Sequence, residues 1–359
     1  IKAAVAESKI PVELIEECIM GQVLTAGSGQ SPARQAALYA GLSEGVRALT
    51  VGKVCGSGLK AVTLGASNIA LGHSQVIVAG GQECMSAVPY LLPSARDGFR
   101  MGHKEVIDSL ILDGLWDPYN KLHMGSCAEL CAREFQFSKS EQDDFAMESY
   151  KRAQNAIQNG SFKNELVSVE VQQGKNTVQV DKDEEPFAAD LTKLSSLKPA
   201  FEKEGTITAG NASKINDGAS ALVLASESFV KAHNCKPIAK IISWAEHAQE
   251  PKWFTTAPVA AMEKALDFAK LTTQNIDIFE INEAFAVVTM AAIKKMNLDP
   301  KKVNIHGGAC ALGHPIGASG ARILTTLVHA LQKENKKYGM ASLCIGGGEG
   351  IAMIIENIS

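Results

Sequence analysis

The sequence predicts an α/β fold with a pseudo-duplicated core and one long insertion. Short apolar strands alternate with helices, and glycine-rich turns join them, which is typical of parallel βαβ units. Residues 78–83 and 344–349 share a strand–Gly–Gly–Glu layout, and each follows a helix that starts at a glycine. The stretch 86–215 is more polar and irregular than its flanks. We therefore expect two similar halves and an inserted segment that covers part of them.

The elements of the first half follow from apolar spacing and from boundary residues. The opening residues Ile1–Ala4 resemble the middle of a helix. After them the patterns predict a helix over 34–47, a strand Leu49–Val54, a helix over 57–71 with Gly72 as its C-cap, and a strand Val76–Ala79 closed by Gly80 and Gly81.

The insertion contains a charged helix around 138–158, for which Ser138 or Ser140 is the candidate N-cap. Beyond the insertion the patterns predict a strand Ala219–Ala225, a helix 258–270, a strand Ile276–Ile281, a helix 284–296, a glycine-rich turn 306–320, a helix of about 318–333, and strands Ala341–Ile345 and Ile351–Ile355. The domain prediction is therefore 1–85 for the first half, which resumes at 216–235, then 86–215 for the insertion and 236–359 for the second half.

Composition excludes several classes of protein. The 359 residues are 46% hydrophobic and 21% charged, with a net charge of −4 and no basic block, which argues against a nucleic-acid surface. No apolar run reaches the roughly 18 residues of a membrane span. Eight cysteines are too sparse for a disulfide scaffold. Cys127 and Cys131 lack a second ligand pair, so no metal is expected. We expect a reduced, cytoplasmic protein, with the mitochondrial matrix as the alternative, because N-terminal targeting is not observable.

Cys55 lies where a strand gives way to a helix. A thiol at a helix N-terminus has a lowered pKa and a larger thiolate fraction, which favours a nucleophile. A free cysteine is otherwise a small buried apolar residue. The same segment also fits the dinucleotide pattern Gly56-x-Gly58-x-x-Ala61, although the acidic residue expected about 20 positions later is missing.

Three further residues are candidates for chemistry. Cys344 precedes Gly346–Gly348, whose amides are suited to an oxyanion. His314 lies between glycines in a loop, where an imidazole can take a proton from a thiol. Asn282 follows a strand and opens a helix, so it is either a helix N-cap or a catalytic residue. His306 is interpreted as a surface or supporting residue.

Four motifs together resemble the active-site motifs of the thiolases, in that family's order and approximate spacing. Two further segments also match, and the likeness extends from about residue 20 to the end. The motifs and segments are Cys55–Gly58, Asn282–Ala286, Gly313–Gly320 and Cys344–Gly348, with Gly29–Gln35 and Thr208–Ser213.

The resemblance implies the five-layer αβαβα thiolase fold with a loop domain over the CoA site. It implies a reversible Claisen condensation through an acyl-Cys55 intermediate. His314 would activate Cys55, and Cys344 would act as base or acid at the α-carbon. Asn282 would position a water in one oxyanion hole, and the amides of Cys55 and Gly346 would form the other.

The resemblance also implies the ligands and the assembly. The His123–Met124 pair resembles short-chain members, so two acetyl-CoA and acetoacetyl-CoA plus CoA are the expected substrates and products. Lys198 would contact the CoA nucleotide, and Ala284 and Phe285 would line the acyl pocket. No metal or redox cofactor is implied, since CoA is a substrate. A homo-oligomer is expected, a homotetramer built as a dimer of dimers through the insertion.

Three alternatives remain at this point. The first is a broad-chain degradative 3-ketoacyl-CoA thiolase, and the second is a decarboxylating condensing enzyme on the same fold, which Cys344 disfavours. The third is a silent CoA- or lipid-binding relative. The sequence also departs from the family pattern twice: the family's first strand does not precede Ile1, and His306 replaces a common asparagine.

Overall fold

The structure is a computed structural model that describes residues 1–359. The first part of the chain contains, in order, α1 (Lys2–Ser8), β1 (Glu17–Gly21), α2 (Pro32–Tyr39), β2 (Arg47–Val51), α3 (Ser57–Ala70) and β3 (Val76–Cys84). The helical character of the opening residues is confirmed.

The insertion consists of short strands, two long helices and irregular loops. Its elements are β4 (Tyr90–Leu91), β5 (Ile107–Asp108), β6 (Trp116–Asp117), β7 (Leu122–His123), α4 (Met124–Phe135), α5 (Lys139–Gln158), β8 (Val169–Gln173), β9 (Asn176–Val180) and α6 (Glu185–Ala188). Of the two candidate N-caps of α5, the structure selects Ser138. Its side chain accepts from the Glu141 amide, and the Glu141 carboxylate accepts from the Ser138 amide.

The rest of the chain completes both halves. Its elements are β10 (Asp217–Ala225), α7 (Glu227–His233), β11 (Ala239–Ala248), α8 (Ala257–Ala269), β12 (Ile278–Ile281), α9 (Ala286–Met296), α10 (Ala309–Leu312), α11 (Ser319–Lys333), β13 (Tyr338–Ile345) and β14 (Glu349–Asn357). No helix is both long and apolar enough to cross a membrane.

Two four-stranded sheets form the core, in the orders β10-β3-β1-β2 and β11-β14-β13-β12. Each sheet contains a strand that follows a buried helix, β3 after α3 and β13 after α11. These strands pair antiparallel with β10 and β14, respectively. The helices α3 and α11 pack on each other between the sheets. Helices α1 and α2 cover one outer face and α8 covers the other, so the five-layer prediction is confirmed.

Alternation along the strands explains why these sheets are buried on both faces. Ile19 and Ile77 face the central layer, whereas their neighbours Cys18 and Val78 face the outer helices. Met353 likewise faces the central layer while Ile354 faces α8. Successive side chains of a strand point to opposite sides, so a continuous apolar run serves two cores at once.

Three of the predicted boundaries that the structure contradicts lie in the first half of the chain. The helix over 34–47 ends at Tyr39, because Gly41 has a φ of +86° and Arg47 begins β2. The strand predicted to reach Val54 ends at Val51. The pair Gly80 and Gly81 does not close β3, which continues to Cys84.

Candidate active site

Cys55 lies in a tight turn between β2 and α3. The preceding Val54 has a φ of +43°, which is rare for a β-branched residue and costs conformational energy. The Ser57 hydroxyl fixes the turn, since it accepts from the Lys53 amide at 2.8 Å and donates to the Val54 carbonyl at 2.7 Å. The turn therefore holds Cys55 in one position ahead of the helix.

The ionisation of Cys55 differs from the expectation at a helix N-terminus. Burial raises the pKa of its thiol to about 11, while the amides of Gly346 and Cys55 lower that pKa by a smaller amount. Helix α3 begins only at Ser57, and the residue as a whole stays half-buried. Desolvation by the surrounding apolar side chains outweighs the helix dipole, so the resting thiol is protonated.

His314 is oriented by a serine that sequence reasoning did not single out. Its Nδ1 lies 2.6 Å from the Ser319 Oγ, and the Ser319 hydroxyl donates to the Pro315 carbonyl at 2.9 Å. Because a hydroxyl has one proton, Nδ1 must be the donor to Ser319. This fixes the tautomer and leaves Nε2 free to accept a proton. Ser319 lies in the Gly313–Gly320 motif, which was the available signal.

The His314 ring is neutral at physiological pH. Burial lowers its pKa to about 3, and the nearby charge of Arg322 acts in the same direction. A neutral imidazole beside a neutral thiol differs from a preformed ion pair. The proton therefore leaves the thiol only as the thiol attacks.

Asn282 does not cap a helix. Helix α9 begins at Ala286, and its N-cap residue is Phe285, which makes no side-chain bond. Instead, the Asn282 Nδ2 lies 3.4 Å from Nδ1 and 3.5 Å from Nε2 of His314. Its Oδ1 is buried and has no hydrogen-bond partner in the protein. A buried amide oxygen of this kind is suited to hold a water or a substrate group.

Cys344 is the last but one residue of β13, and its thiol lies close enough to Cys55 to feel its charge. Burial raises its pKa well above the usual range, and the charge of an ionised Cys55 raises it further. The turn that follows contains Gly346, whose amide points at the Cys55 sulfur, and Gly347 and Gly348, which have φ values of +91° and +87°. The two thiols therefore disfavour each other's ionisation.

Glycines bring the two halves together at this point. A Cβ on Gly81 would lie 2.2 Å from the Gly317 oxygen, and a Cβ on Gly320 would lie 2.3 Å from the Leu59 amide. A Cβ on Gly58 would lie 2.8 Å from the Ala321 amide. Gly58 of the dinucleotide-like pattern thus serves helix packing, and Gly81 lets the Gly313–Gly320 loop approach β3.

Glu83 links the His314 loop to the first half. Its carboxylate accepts from the amides of Val23, Leu24 and Gly317 at 2.9–3.2 Å. In the sequence, Glu83 is recognisable only as part of the duplicated strand–Gly–Gly–Glu layout. In the structure it lies near the end of β3, where its carboxylate holds the loop that contains His314.

The insertion contributes one wall of the site. A Cβ on Gly346 would lie 3.4 Å from the Met124 Sδ, so Met124 packs against the oxyanion turn. Met124, Ala284, Phe285 and Cys344 belong to one buried apolar cluster. The His123 ring is half-buried at the edge of that cluster, and its Nδ1 accepts from the Gly125 amide at 3.0 Å.

Phe201 joins His123 to this wall. Its ring stacks on His123 with centroids 4.9 Å apart and meets Phe285 edge-on at 6.0 Å. Four of the five predicted substrate residues thus come together. Lys198 does not join them, since its side chain is exposed and contacts no partner. His306 also lies outside the site and packs edge-on against Phe162.

The four predicted reactive groups therefore converge from four segments of the chain. No three His, Cys, Asp or Glu side chains are arranged to hold a metal ion. The arrangement offers a thiol with amide donors at its sulfur, a neutral imidazole, a second thiol and an unpartnered amide oxygen. These groups suit acyl transfer through a thioester followed by proton abstraction at carbon.

Comparisons with known proteins agree with this assignment. An acetyl-CoA acetyltransferase of Cupriavidus necator is 50% identical over 358 residues, which cover 99% of this chain and 91% of that protein. The crystal structure of the Acat5 thiolase of Ascaris suum with coenzyme A superposes with a TM-score of 0.94 at 43% identity, covering 99% of this chain and 91% of that one. The acetyl-CoA acetyltransferase of Bacillus anthracis gives a TM-score of 0.96 at 39% identity, covering 99% and 90%.

Family models locate the same relationship along the chain. The thiolase N-terminal domain matches residues 1–228, and the thiolase C-terminal domain matches residues 235–357. The chain therefore belongs to the thiolase family.

Proposed function

We propose that this thiolase is an acetyl-CoA C-acetyltransferase, which condenses two acetyl-CoA to acetoacetyl-CoA and CoA and also catalyses the reverse thiolysis. The observation that supports it most directly is the pairing of the Cys55 and Cys344 thiols across one oxyanion turn. The curated relatives with about half of their residues identical are named acetyl-CoA acetyltransferase.

The first half-reaction starts from the neutral Cys55 thiol and the neutral His314 imidazole. Cys55 Sγ attacks the thioester carbonyl of acetyl-CoA while His314 Nε2 takes its proton. The tetrahedral oxyanion forms next to donors already in place, and loss of one such donor typically costs about 10²–10³ in rate. The carbon–sulfur bond to CoA then breaks, and the CoA thiolate receives the proton from His314. The product is acetyl-Cys55.

Acetylation also prepares the second half-reaction. Once Cys55 is a thioester, it cannot ionise, so no thiolate at this position can raise the pKa of Cys344. Cys344 then gives its proton to His314, which is free again after protonating CoA, and the Cys344 thiolate removes a proton from the methyl group of the second acetyl-CoA. The resulting carbanion attacks the acetyl carbonyl, and the Cys55–carbon bond breaks. Cys55 leaves as a thiolate and takes the proton that His314 holds, while Cys344 keeps the proton from the substrate, so the enzyme is restored.

The short-chain assignment depends on the wall that the insertion builds. Met124 packs against the oxyanion turn, and Phe285 is held between Phe201 and Phe254, with the Phe254 and Phe285 centroids 6.4 Å apart. Bulky side chains in the cluster that contains Cys344 leave room for a methyl group more readily than for a long acyl chain. Lys198 remains the candidate for the CoA nucleotide, because it is a charged residue free of competing partners.

The test is thiolysis of acetoacetyl-CoA by CoA, followed at the enolate absorbance, beside a panel of longer 3-ketoacyl-CoAs. Cys55→Ala and Cys344→Ala should each lose at least about 10³-fold in kcat, as for loss of a nucleophile or base. Cys84→Ala is the matched control, since that thiol is exposed and should be dispensable. Turnover of long chains only would favour the degradative alternative. No turnover with any substrate would reject the proposed function.

We further propose that the chain forms a homotetramer and acts in the cytoplasm, with the mitochondrial matrix as the alternative. Exposed apolar side chains of residues 90–119 support the assembly, and eight unpaired cysteines support a reducing compartment. Cell fractionation tests the location.

A further inference from the structure

A second cavity lies at the far end of the C-terminal sheet from the two thiols. Its volume is about 440 Å³, and Ile278 and Lys336 are among the residues that line it. Ile278 begins β12, whose other end leads to Asn282, and Lys336 precedes β13, which has Cys344 near its other end. With a rise of about 3.3 Å per residue, the length of β13 separates the cavity from Cys344 by roughly 20 Å. The cavity is therefore separate from the active site.

Positive charge is concentrated in its walls. Five cationic side chains line it, against the two acidic side chains of Asp277 and Glu334, in a chain whose net charge is −4. The cationic residues are Arg152, Lys301, Lys302, Lys333 and Lys336.

Most of this charge is not neutralised by the protein. Arg152 pairs with Glu148 at 2.8 Å, whereas none of the four lysines has a carboxylate within 4.0 Å. The Asp277 carboxylate is engaged by the amides of Lys337 and Tyr338 at 3.0 Å. Like charges around one cavity repel one another, so an anion that bridges them is favoured.

Two of the lysines are held in place without losing their charge. The Lys333 Nζ donates to Asn159 Oδ1 at 3.2 Å and to Ser161 Oγ at 2.5 Å, and the Lys302 Nζ donates to the Ile276 carbonyl at 3.0 Å. Neutral oxygens orient these ammonium groups at the cavity wall. Lys301 and Lys336 have no side-chain partner and are free to close on a ligand.

An unpartnered polar side chain in the wall is the second, independent observation. His306 is 7% exposed, and its Nδ1 is buried with no hydrogen-bond partner. Its other contact is the edge of the Phe162 ring. Buried polar atoms in native proteins are nearly always paired, so an orphaned ring nitrogen in this wall indicates a partner that the protein does not supply.

The lining also limits the class of anion. Lysine is a compact point charge suited to phosphate oxygens. The volume falls within the range of about 300–1,000 Å³ typical of small-molecule sites. No Phe, Tyr or Trp side chain lines the cavity, so there is no platform on which a nucleobase would stack. We propose that this cavity binds a small anion carrying two or more phosphoryl groups.

Pyrophosphate is the probe, titrated into the full-length protein by isothermal calorimetry at constant ionic strength, with tripolyphosphate as a second probe. Saturable binding is expected, and Lys301→Gln/Lys336→Gln should weaken it by about tenfold or more through loss of two charges. Neither lysine side chain makes a hydrogen bond or an ion pair in the protein, so this variant should fold. His306→Phe, which removes the ring nitrogens, should weaken binding several-fold.

The matched control is Lys2→Gln/Lys175→Gln, which removes the same charge from two exposed, unpaired lysines elsewhere. It should bind as the wild type does. If the Lys301→Gln/Lys336→Gln variant binds pyrophosphate as tightly as the wild type does, the measured heat comes from another site and the proposal is overturned. Absence of saturable binding with both probes would also overturn it. Neither result depends on thiolase turnover.

Discussion

Cys55 carries its proton at neutral pH, and this has a measurable consequence. With a thiol pKa of about 11, the thiolate is a minor species at pH 7, and its fraction grows about tenfold per pH unit up to that pKa. Alkylation of Cys55 by iodoacetamide, followed by peptide mass spectrometry, should therefore accelerate steadily from pH 7 to pH 10. A rate that is constant below pH 8 would instead indicate a preformed thiolate–imidazolium pair.

The orientation of His314 depends on one hydroxyl. Ser319→Ala removes the acceptor that holds Nδ1–H, so Nε2 is no longer fixed as the base, and kcat should fall by about 10–100-fold with a small change in KM. Ser342→Ala is the matched control, because that buried hydroxyl also donates to a carbonyl, of Ile351 at 2.9 Å. Both variants should lose about 1 kcal/mol of stability from a broken hydrogen bond. Equal kcat values for the two would contradict a positioning role of Ser319.

Residue types alone could identify Cys55, His314 and Cys344 but not their ionisation. The prediction of a lowered pKa for Cys55 used only the residues next to it in sequence. The pKa of Cys55 is instead raised by burial against apolar groups such as Leu24, Met85 and Ile316, which come from distant parts of the chain. Asn282 shows the same limit. Its helix-cap interpretation used only its neighbours in sequence, while its contact with His314 spans 32 residues.

At the scale of elements, two nearby serines allow a test of which one forms the N-cap of helix α5. The chain offers Ser138 and Ser140 two residues apart, and only Ser138 accepts from the Glu141 amide, at 3.2 Å. Ser138→Ala should destabilise the protein by about 1 kcal/mol in urea unfolding. Ser140→Ala should change stability little, since Ser140 is exposed and its hydroxyl has no partner. A larger loss for Ser140→Ala would show that the cap lies elsewhere.

Elements with strong periodicity could be predicted, and those fixed by tertiary contacts could not. Helix α11 has a clear apolar stripe that fills the space between the sheets, and its predicted span of about 318–333 agrees with Ser319–Lys333. Strand β1 escaped prediction although it is central in its sheet, because Glu17–Gly21 has a single β-branched residue, Ile19, and no apolar alternation. Strand β3 continues through Gly80 because the Ser220 carbonyl approaches where a Cβ would stand.

At the scale of the whole molecule, the duplicated layout explains why one site needs both halves. Helices α3 and α11 meet in the central layer, and the N-terminus of each lies beside a reactive residue, Cys55 or His314. The halves differ at one edge. In the second sheet β11 pairs with β14, whereas in the first sheet no strand lies on the corresponding side of β10. The repetition predicted a duplicated core, and the resemblance to the thiolases implied its layers. The contact between the two helix starts depended on glycines whose packing partners lie in the other half.

The surface of the insertion leads to the last prediction, which concerns assembly. Tyr90, Phe99, Met101 and Tyr119 are each more than half exposed, and Met101 has no cover at all. Apolar side chains grouped on one segment mark a protein interface more often than a free surface. We expect the wild type to run as a tetramer in size-exclusion chromatography with light scattering.

Met101→Glu/Tyr119→Glu places two carboxylates where the insertions of different subunits would meet. Burying those charges without partners is costly, so the tetramer should dissociate to half its mass. The dimer should keep thiolase activity, because neither residue contacts Cys55, His314 or Cys344. Phe268→Glu is the matched control, since Phe268 is 68% exposed on α8, on the outer face of the other sheet, and it should leave the mass unchanged. An unaltered tetramer in the double variant would exclude residues 90–119 as the interface, and a monomeric wild type would exclude the assembly itself.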